Sequence, residues 1–220
     1  MKKTPVVFVV DRSTGVAQPE VRAGQEWVLQ GEGVATVKFD GQACLWRDGK
    51  LWKRYDRKLN KKMQWRKDRG EELGELSVSD FKVPPEGFEP CEASFDPVSH
   101  HWPGWVPVSE GNPADKWHCQ ALEDVSASSL VEGKTYELVG PSLSDNPYKL
   151  DRHALWLHGK EVIDIPDRSF EAIQELLKDS YIEGLVFHHP DGRMAKIRRK
   201  DFKLFWVKDD VRDTWKRRPK

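Results

Sequence analysis

The sequence predicts a strand-rich α+β fold built on antiparallel sheet, with helices at its periphery. Three observations predict it. Apolar and polar residues alternate through much of the first half, the two-residue period of half-buried strands. The pair Asp48-Gly49 separates two apolar runs, the signal of a tight antiparallel hairpin. One segment alone carries a clear helical period, so the β-α alternation of a doubly wound sheet is missing.

Taken in order, residues 6–10, 26–30 and 35–39 read as strands. Ala43-Cys44-Leu45-Trp46 and Leu51-Trp52-Lys53-Arg54-Tyr55 flank the turn Arg47-Asp48-Gly49-Lys50, where Gly49 supplies positive φ. Residues 83–113 hold seven prolines and read as loop, interrupted by Trp102-Pro103-Gly104-Trp105-Val106. Residues 135–139 and 154–157 are further strands. The helix follows Ser169, a good N-cap, with Phe170, Ile173, Leu176 and Leu177 at helical spacing. Glu171 and Glu175 stand near its start and Lys178 near its end, as the helix dipole prefers. Two last strands, residues 184–188 and 194–198, are joined by a turn at Pro190-Asp191-Gly192.

Composition removes several function classes. A chain of 220 residues, 38% of them hydrophobic, can bury a real core. Lys+Arg and Asp+Glu are both 36, so the chain is no polycation. Ten Trp, nine Phe and four Tyr supply more aromatic surface than a disordered chain carries. No apolar run approaches the ~20 residues of a membrane span, and no membrane partner is expected. The apolar run at 6–10 ends in Asp11-Arg12 without a small-residue cleavage site, which argues against a signal peptide. Cys44, Cys91 and Cys119 are odd in number and form no CxxC, so a reducing, cytoplasmic location is expected. The spacing of His100, His101, His118, Cys91 and Cys119 fits no standard zinc site.

The zero net charge conceals segregation. Residues 47–69 hold eleven bases against three Asp, a net of +8, whereas residues 71–96 carry eight acids against Lys82 alone. Residues 193–203 carry six bases against Asp201. Basic stripes in a neutral chain suit a polyanion laid along one face; the alternative is a solvated surface.

The segment with most chemistry is Val37-Lys38-Phe39-Asp40-Gly41. A lysine at a strand end, two residues before Asp-Gly, can be fixed and partly desolvated, the condition for a nucleophilic amine. On its own KxDG is short, and a surface lysine before a turn explains it as well. Further motifs follow in order: Trp52-Lys53-Arg54, Tyr136-Glu137-Leu138-Val139-Gly140, Glu183-Gly184-Leu185-Val186 and Lys196-Ile197-Arg198. This series resembles the covalent nucleotidyltransferase superfamily of ATP-dependent DNA and RNA ligases and mRNA capping enzymes. Arg54-Tyr55-Asp56-Arg57-Lys58-Leu59-Asn60-Lys61, His101-Trp102-Pro103-Gly104-Trp105-Val106-Pro107-Val108, Lys116-Trp117-His118, Asn146-Pro147-Tyr148 and Leu204-Phe205-Trp206 resemble, more narrowly, the vertebrate-type RNA 5′-to-3′ ligase family. That resemblance runs from about Lys38 to Trp206.

The resemblance implies an ATP-grasp-like ligase adenylation fold: one nucleotidyltransferase domain over residues 1–207 and a basic tail over 208–220, with no OB-fold domain. It implies an ATP-dependent ligase that joins RNA 5′-phosphate and 3′-hydroxyl ends, acting as a monomer with Mg²⁺ or Mn²⁺. Lys38 would be the nucleophile that takes AMP. Lys196 and Arg198, alternate residues of one strand, would stand at the α-phosphate. Glu183 would help hold the metal. Val37, Asp40, Gly41, Arg54 and Glu137 would line the nucleotide, with Trp156 or His158 stacking on adenine. Two departures mark this chain: Gln42-Ala43 follows KxDG where many ligases have arginine two residues on, and the last motif is Lys-Ile-Arg instead of Lys-x-Lys. RNA phosphates would meet Arg57, Lys58, Lys61 and Lys62 and the tail bases Arg212, Lys216, Arg217 and Arg218, with the interleaved Trp65 stacking on a base. A DNA ligase or a guanylyltransferase would share most of these residues. A non-catalytic nucleic-acid-binding module would need only the basic stripes.

Overall fold

A computed structural model describes residues 3–204, so the basic tail over 208–220 lies outside the described residues. In chain order the elements are β1 (Phe8–Val10), β2 (Ala17–Val21), α1 (Glu26–Leu29), β3 (Val34–Lys38), β4 (Gln42–Arg47), β5 (Lys50–Arg57), α2 (Lys61–Asp68), β6 (Glu89–Pro90), β7 (Trp102–Pro107), α3 (Lys116–Glu123), β8 (Thr135–Val139), β9 (Ala154–Leu157), β10 (Val162–Ile163), α4 (Phe170–Asp179), β11 (Gly184–His188) and β12 (Met194–Arg198). Their mixture of short helices and antiparallel strands is the α+β class the sequence predicts. No helix among the described residues is long and apolar enough to cross a membrane. The described residues fall into two compact units: residue 3 with 42–135, and residues 4–41 with 136–204.

In the first of these units β6, β7, β5 and β4 lie side by side, all antiparallel. The β4–β5 hairpin closes with Arg47 opposite Lys50, and both Asp48 (φ 54°) and Gly49 (φ 68°) are left-handed. Two successive positive φ values give the turn whose twist matches paired strands, which is why Asp-Gly stands there. The apolar phrase in the proline-rich segment becomes β7, with Trp102 and Trp105 buried. Helix α2 is an element the periodicity does not reveal. Met63 is its one buried residue, and it packs with Leu59 and Phe81. The Asn60 side chain accepts the Met63 N–H at 3.0 Å and so caps the helix. Helix α3, also unpredicted, follows a turn capped by the Asn112 side chain and buries His118 and Ala121.

The second unit is organised by a four-stranded antiparallel sheet in the order β10-β3-β11-β12. One face carries Ala35, Leu185, Phe187, Ala195 and Ile197 into the main core. Ile173 and Leu177 of α4, four residues apart and both fully buried, join that core, as do Phe8 and Val28. Each such side chain contributes roughly 1.5–3 kcal/mol by leaving water. Helix α4 begins as expected, with the Ser169 hydroxyl accepting the Ala172 N–H at 3.3 Å. Strands β1 and β2 pair with each other, as do β8 and β9. One expectation fails here. The sequence predicts a strand over residues 26–30, and the chain instead turns through α1. Trp27 and Val28 are adjacent and both buried, which alternating strand faces do not allow, and left-handed Gly24 and Gly31 stand on either side.

Candidate active site

Strand register builds the site. Lys38 is opposite Gly184, and Gly184 is opposite Arg198 across β12. The next row on that face is Thr36, Val186 and Lys196. Opposed residues of a sheet share a face, so Lys38, Lys196 and Arg198 stand on the side away from the main core. The row depends on a missing side chain. A Cβ on Gly184 would lie 2.2 Å from the Ile197 carbonyl oxygen and 2.8 Å from Arg198 Cα. Gly184→Ala is therefore expected to push β12 away and to cost about 1–3 kcal/mol, measured by urea unfolding. Wild-type stability of that variant would mean that β12 yields freely.

Each residue of the Lys38 segment has its own anchor. The Lys38 ammonium donates to the Phe39 carbonyl at 3.1 Å and forms an ion pair with Glu183, the residue just before β11. Burial pushes the Glu183 carboxyl above its usual range, while the Lys38 charge opposes that shift. The Asp40 and Glu137 charges add to the upward push. Phe39 packs with Tyr148 and Trp156, at ring separations of 6.5 and 5.0 Å, and Val37 rests against the same cluster. The Asp40 N–H donates to the Tyr148 hydroxyl at 2.5 Å, and the Ser144 hydroxyl donates to Asp40 Oδ1 at 2.9 Å. Gly41 has no room for a side chain, because its Cβ would lie 2.1 Å from the Leu138 carbonyl oxygen.

Lys196 and Arg198 are held differently. The Lys196 backbone is bonded on both sides by the N-terminal segment: its N–H donates to the Pro5 carbonyl and its carbonyl accepts from Val7, both at 2.9 Å. Burial first, and then the cations of Arg198 and Lys38, lower the Lys196 ammonium to about 8. The Arg198 guanidinium grips the buried Asp201 through two bonds, of 3.0 and 2.7 Å. That fork fixes the arginine's direction before any ligand arrives.

Glu137 on β8 is buried, and the His158 ring nitrogen Nε2 lies 2.7 Å from its carboxylate. Trp156 is the cross-strand partner of Glu137 and lies 4.7 Å from the Tyr148 ring. In the row of Lys196, the buried Thr36 hydroxyl meets His188 Nε2 at 2.9 Å. Burial, and next the charge of His158, lower the pKa of His188. One unit thus brings together Val37, Lys38, Asp40, Gly41, Glu137, Trp156, His158, Glu183, Lys196 and Arg198.

The remaining predicted residues lie in the other unit. Arg54 pairs with Asp56 at 3.2 Å and stands 5.8 Å from the Trp105 ring. Arg57 is buried, donates to the Lys82 and Val78 carbonyls, and lies against Phe81 and Trp102. Lys58, Lys61 and Lys62 are exposed, and none of their ammonium groups makes a hydrogen bond or ion pair among the described residues.

Sequence reasoning missed Thr36, Ser144, Tyr148, His188 and Asp201. Tyr148 sits in Asn146-Pro147-Tyr148, but nothing in that phrase announces a bond to a residue 108 positions earlier. Asp201 follows the last motif by three residues, the spacing of a capping box, and that pattern could have found it.

Comparisons with known proteins bear on the same residues. The sequence profile of the RNA ligase 1 family matches residues 121–219, which include Glu137, Glu183 and Lys196. A curated RNA ligase 1 from Mus musculus is 31% identical over 226 residues, covering 81% of this chain and 69% of the relative. That from Pongo abelii is 31% identical over 227 residues, covering 81% of this chain and 70% of the relative. That from Danio rerio is 28% identical over 231 residues, covering 80% and 69%. With these relatives aligned along most of its length, the chain belongs to the RNA ligase 1 family.

Proposed function

We propose that the protein is an ATP-dependent RNA ligase that works through a lysyl-AMP intermediate. The observation that carries this reading is the row Lys38, Gly184 and Arg198, with Glu183 paired to the lysine and Lys196 in the next row. An amine, a carboxylate and two further cations gathered on one sheet face suit attack on a phosphate better than they suit simple RNA binding. Residues 1–207 would act as one nucleotidyltransferase domain and 208–220 as a basic tail, in a cytoplasmic monomer.

The chemistry follows from the residues. Lys38 Nζ releases a proton to solvent and its lone pair attacks the α-phosphorus of ATP; the N–P bond forms, the bond to the bridging oxygen breaks, and pyrophosphate leaves. A 5′-phosphate oxygen of RNA then attacks that phosphorus, returning the electron pair to Nζ. The RNA 3′-hydroxyl finally attacks the activated 5′-phosphate, and AMP departs. Lys196 and Arg198 offset charge that gathers at the phosphoryl centre. Val37, Asp40, Gly41 and Glu137 line the nucleotide in this reading. The base stacks on Trp156 or His158.

A divalent cation, Mg²⁺ or Mn²⁺, fits the donor set. No group of three or more His, Cys, Asp or Glu poised for a metal occurs among the described residues. Mg²⁺ needs no such cage: it is commonly held by one or two carboxylates together with waters and substrate phosphates. Glu183, with Asp40 within electrostatic reach, supplies carboxylates of that kind. The ion would supply charge neutralisation at the phosphates.

The lowered Lys196 pKa gives a pH signature. The side chain is cationic below about 8 and neutral above. If the cation stabilises the phosphoryl centre, kcat/KM for self-adenylylation falls as pH rises through that value. Lys196→Arg should move this descending limb to higher pH, because guanidinium stays charged. A limb unmoved by the substitution would detach Lys196 from the chemistry.

The overall reading is tested by offering labelled ATP or GTP, and then nicked RNA or DNA. AMP transfer and RNA sealing are expected. Preference for GTP, or for DNA, would contradict the reading.

A further inference from the structure

Helix α2 has two contrasting sides. Inward, Met63 is buried, Arg66 folds toward Glu71 and the Glu72 carbonyl, and Lys67 donates to the Ser99 carbonyl at 3.2 Å. Outward stands Trp65, two positions from Met63 and so about 200° around the helix. It is 57% exposed, and every other aromatic side chain among the described residues is less so. The Arg69 guanidinium, one turn on, lies 4.5 Å from its ring centroid and is tied to Glu71 at 3.6 Å. Lys61 and Lys62 precede the ring by about one turn, and Lys58 lies just before the helix, all exposed. Single exposed apolar residues are ordinary on protein surfaces. This one carries Arg69 against its ring and lies in a segment of net charge +8, which repels a second copy of itself and attracts a polyanion.

We propose that the outward face of α2 is a docking surface for unpaired RNA, with Trp65 stacked on a nucleobase and Lys58, Lys61 and Lys62 on the flanking phosphates. The proposal rests on the RNA-ligase reading and adds to it that the strand bound here is single. Bases within a duplex have both faces covered by their neighbours, so a flat ring can stack only on an unpaired or terminal base. Lysines meet phosphates of either form, and the tryptophan therefore sets the preference.

The test measures binding of a short 5′-phosphorylated RNA strand, and of the same sequence within a long duplex whose internal sites far outnumber its two ends, at two salt concentrations. The proteins are wild type, Trp65→Ala, Trp65→Phe and a Lys58→Ala/Lys61→Ala/Lys62→Ala triple variant. Thermal melting checks that each is folded. Trp65→Ala should weaken single-strand binding by about 5- to 150-fold with its salt slope unchanged, and leave duplex binding as it was. Trp65→Phe should keep most of the affinity. The triple variant should lower the salt slope for the single strand by up to about 2. Unchanged single-strand affinity in Trp65→Ala, or equal loss for duplex, overturns the proposal. So does a wild-type dimer that Trp65→Ala dissolves, since the face would then be covered by a second copy. Failure of the wild type to bind either RNA would instead overturn the RNA-ligase reading beneath it.

Discussion

Lys38→Ala is expected to leave the protein unable to acquire AMP. The reaction needs an amine at the end of β3, and Lys38 alone supplies one in its row, where Gly184 and Arg198 are its neighbours. The other half-buried amine on this face, Lys196, is one row along, about 7 Å, and two strands across, about 9.5 Å. From there its ammonium can offset charge on the phosphate oxygens, a role that leaves the attacking position on phosphorus to Lys38. The alanine variant also removes the partner of Glu183, so loss of activity could reflect loss of fold. Two controls separate these outcomes. Lys38→Arg keeps the positive charge beside Glu183 but provides no nucleophile. RNA whose 5′ end is already adenylylated bypasses the lysine, and both variants should seal it. AMP on either variant at the wild-type rate would show that Lys38 is not the nucleophile.

The second large effect concerns Glu183. Glu183→Gln should slow self-adenylylation by about 100-fold or more, the scale of losing an ion-positioning group at a phosphoryl centre. Glutamine keeps the shape and can still accept a bond from Lys38 Nζ, but it carries no charge for a metal. The variant should therefore retain its thermal stability. Burial already pushes the native carboxyl upward, so the neutral glutamine avoids a desolvation cost that offsets the lost ion pair with Lys38. Unchanged turnover at saturating Mg²⁺ would take Glu183 out of the site.

Much of this site is legible in the amino-acid sequence. The spacing of KxDG, Glu183-Gly184 and Lys-Ile-Arg reflects three neighbouring strands, and strand alternation alone puts Lys196 and Arg198 on one face. Ser169 caps its helix and Asp48-Gly49 turns its hairpin because both signals are local. What escapes a sequence reading is of two kinds. Helices α2 and α3 bury too few apolar residues to show a period; α2 has Met63 alone, and its cap is a single asparagine. Residues 26–30 mislead because five residues hold too few turns to tell an alternating pattern from a helical one. The second kind is long-range. Tyr148 under Asp40 and His188 against Thr36 join segments more than a hundred residues apart, which no local pattern encodes. Arg57 makes the same point from the other side. In sequence it is one more base in the stripe, whereas in the fold its guanidinium is buried against two carbonyls.

Whether Lys38 carries AMP is read from the intact mass of the wild-type protein after incubation with ATP and Mg²⁺, followed by peptide mapping. A gain of one AMP is expected, located on Lys38 and discharged when RNA with a 5′-phosphate is added. RNA sealed with no AMP found on the protein, or AMP mapped to any other residue, would contradict it.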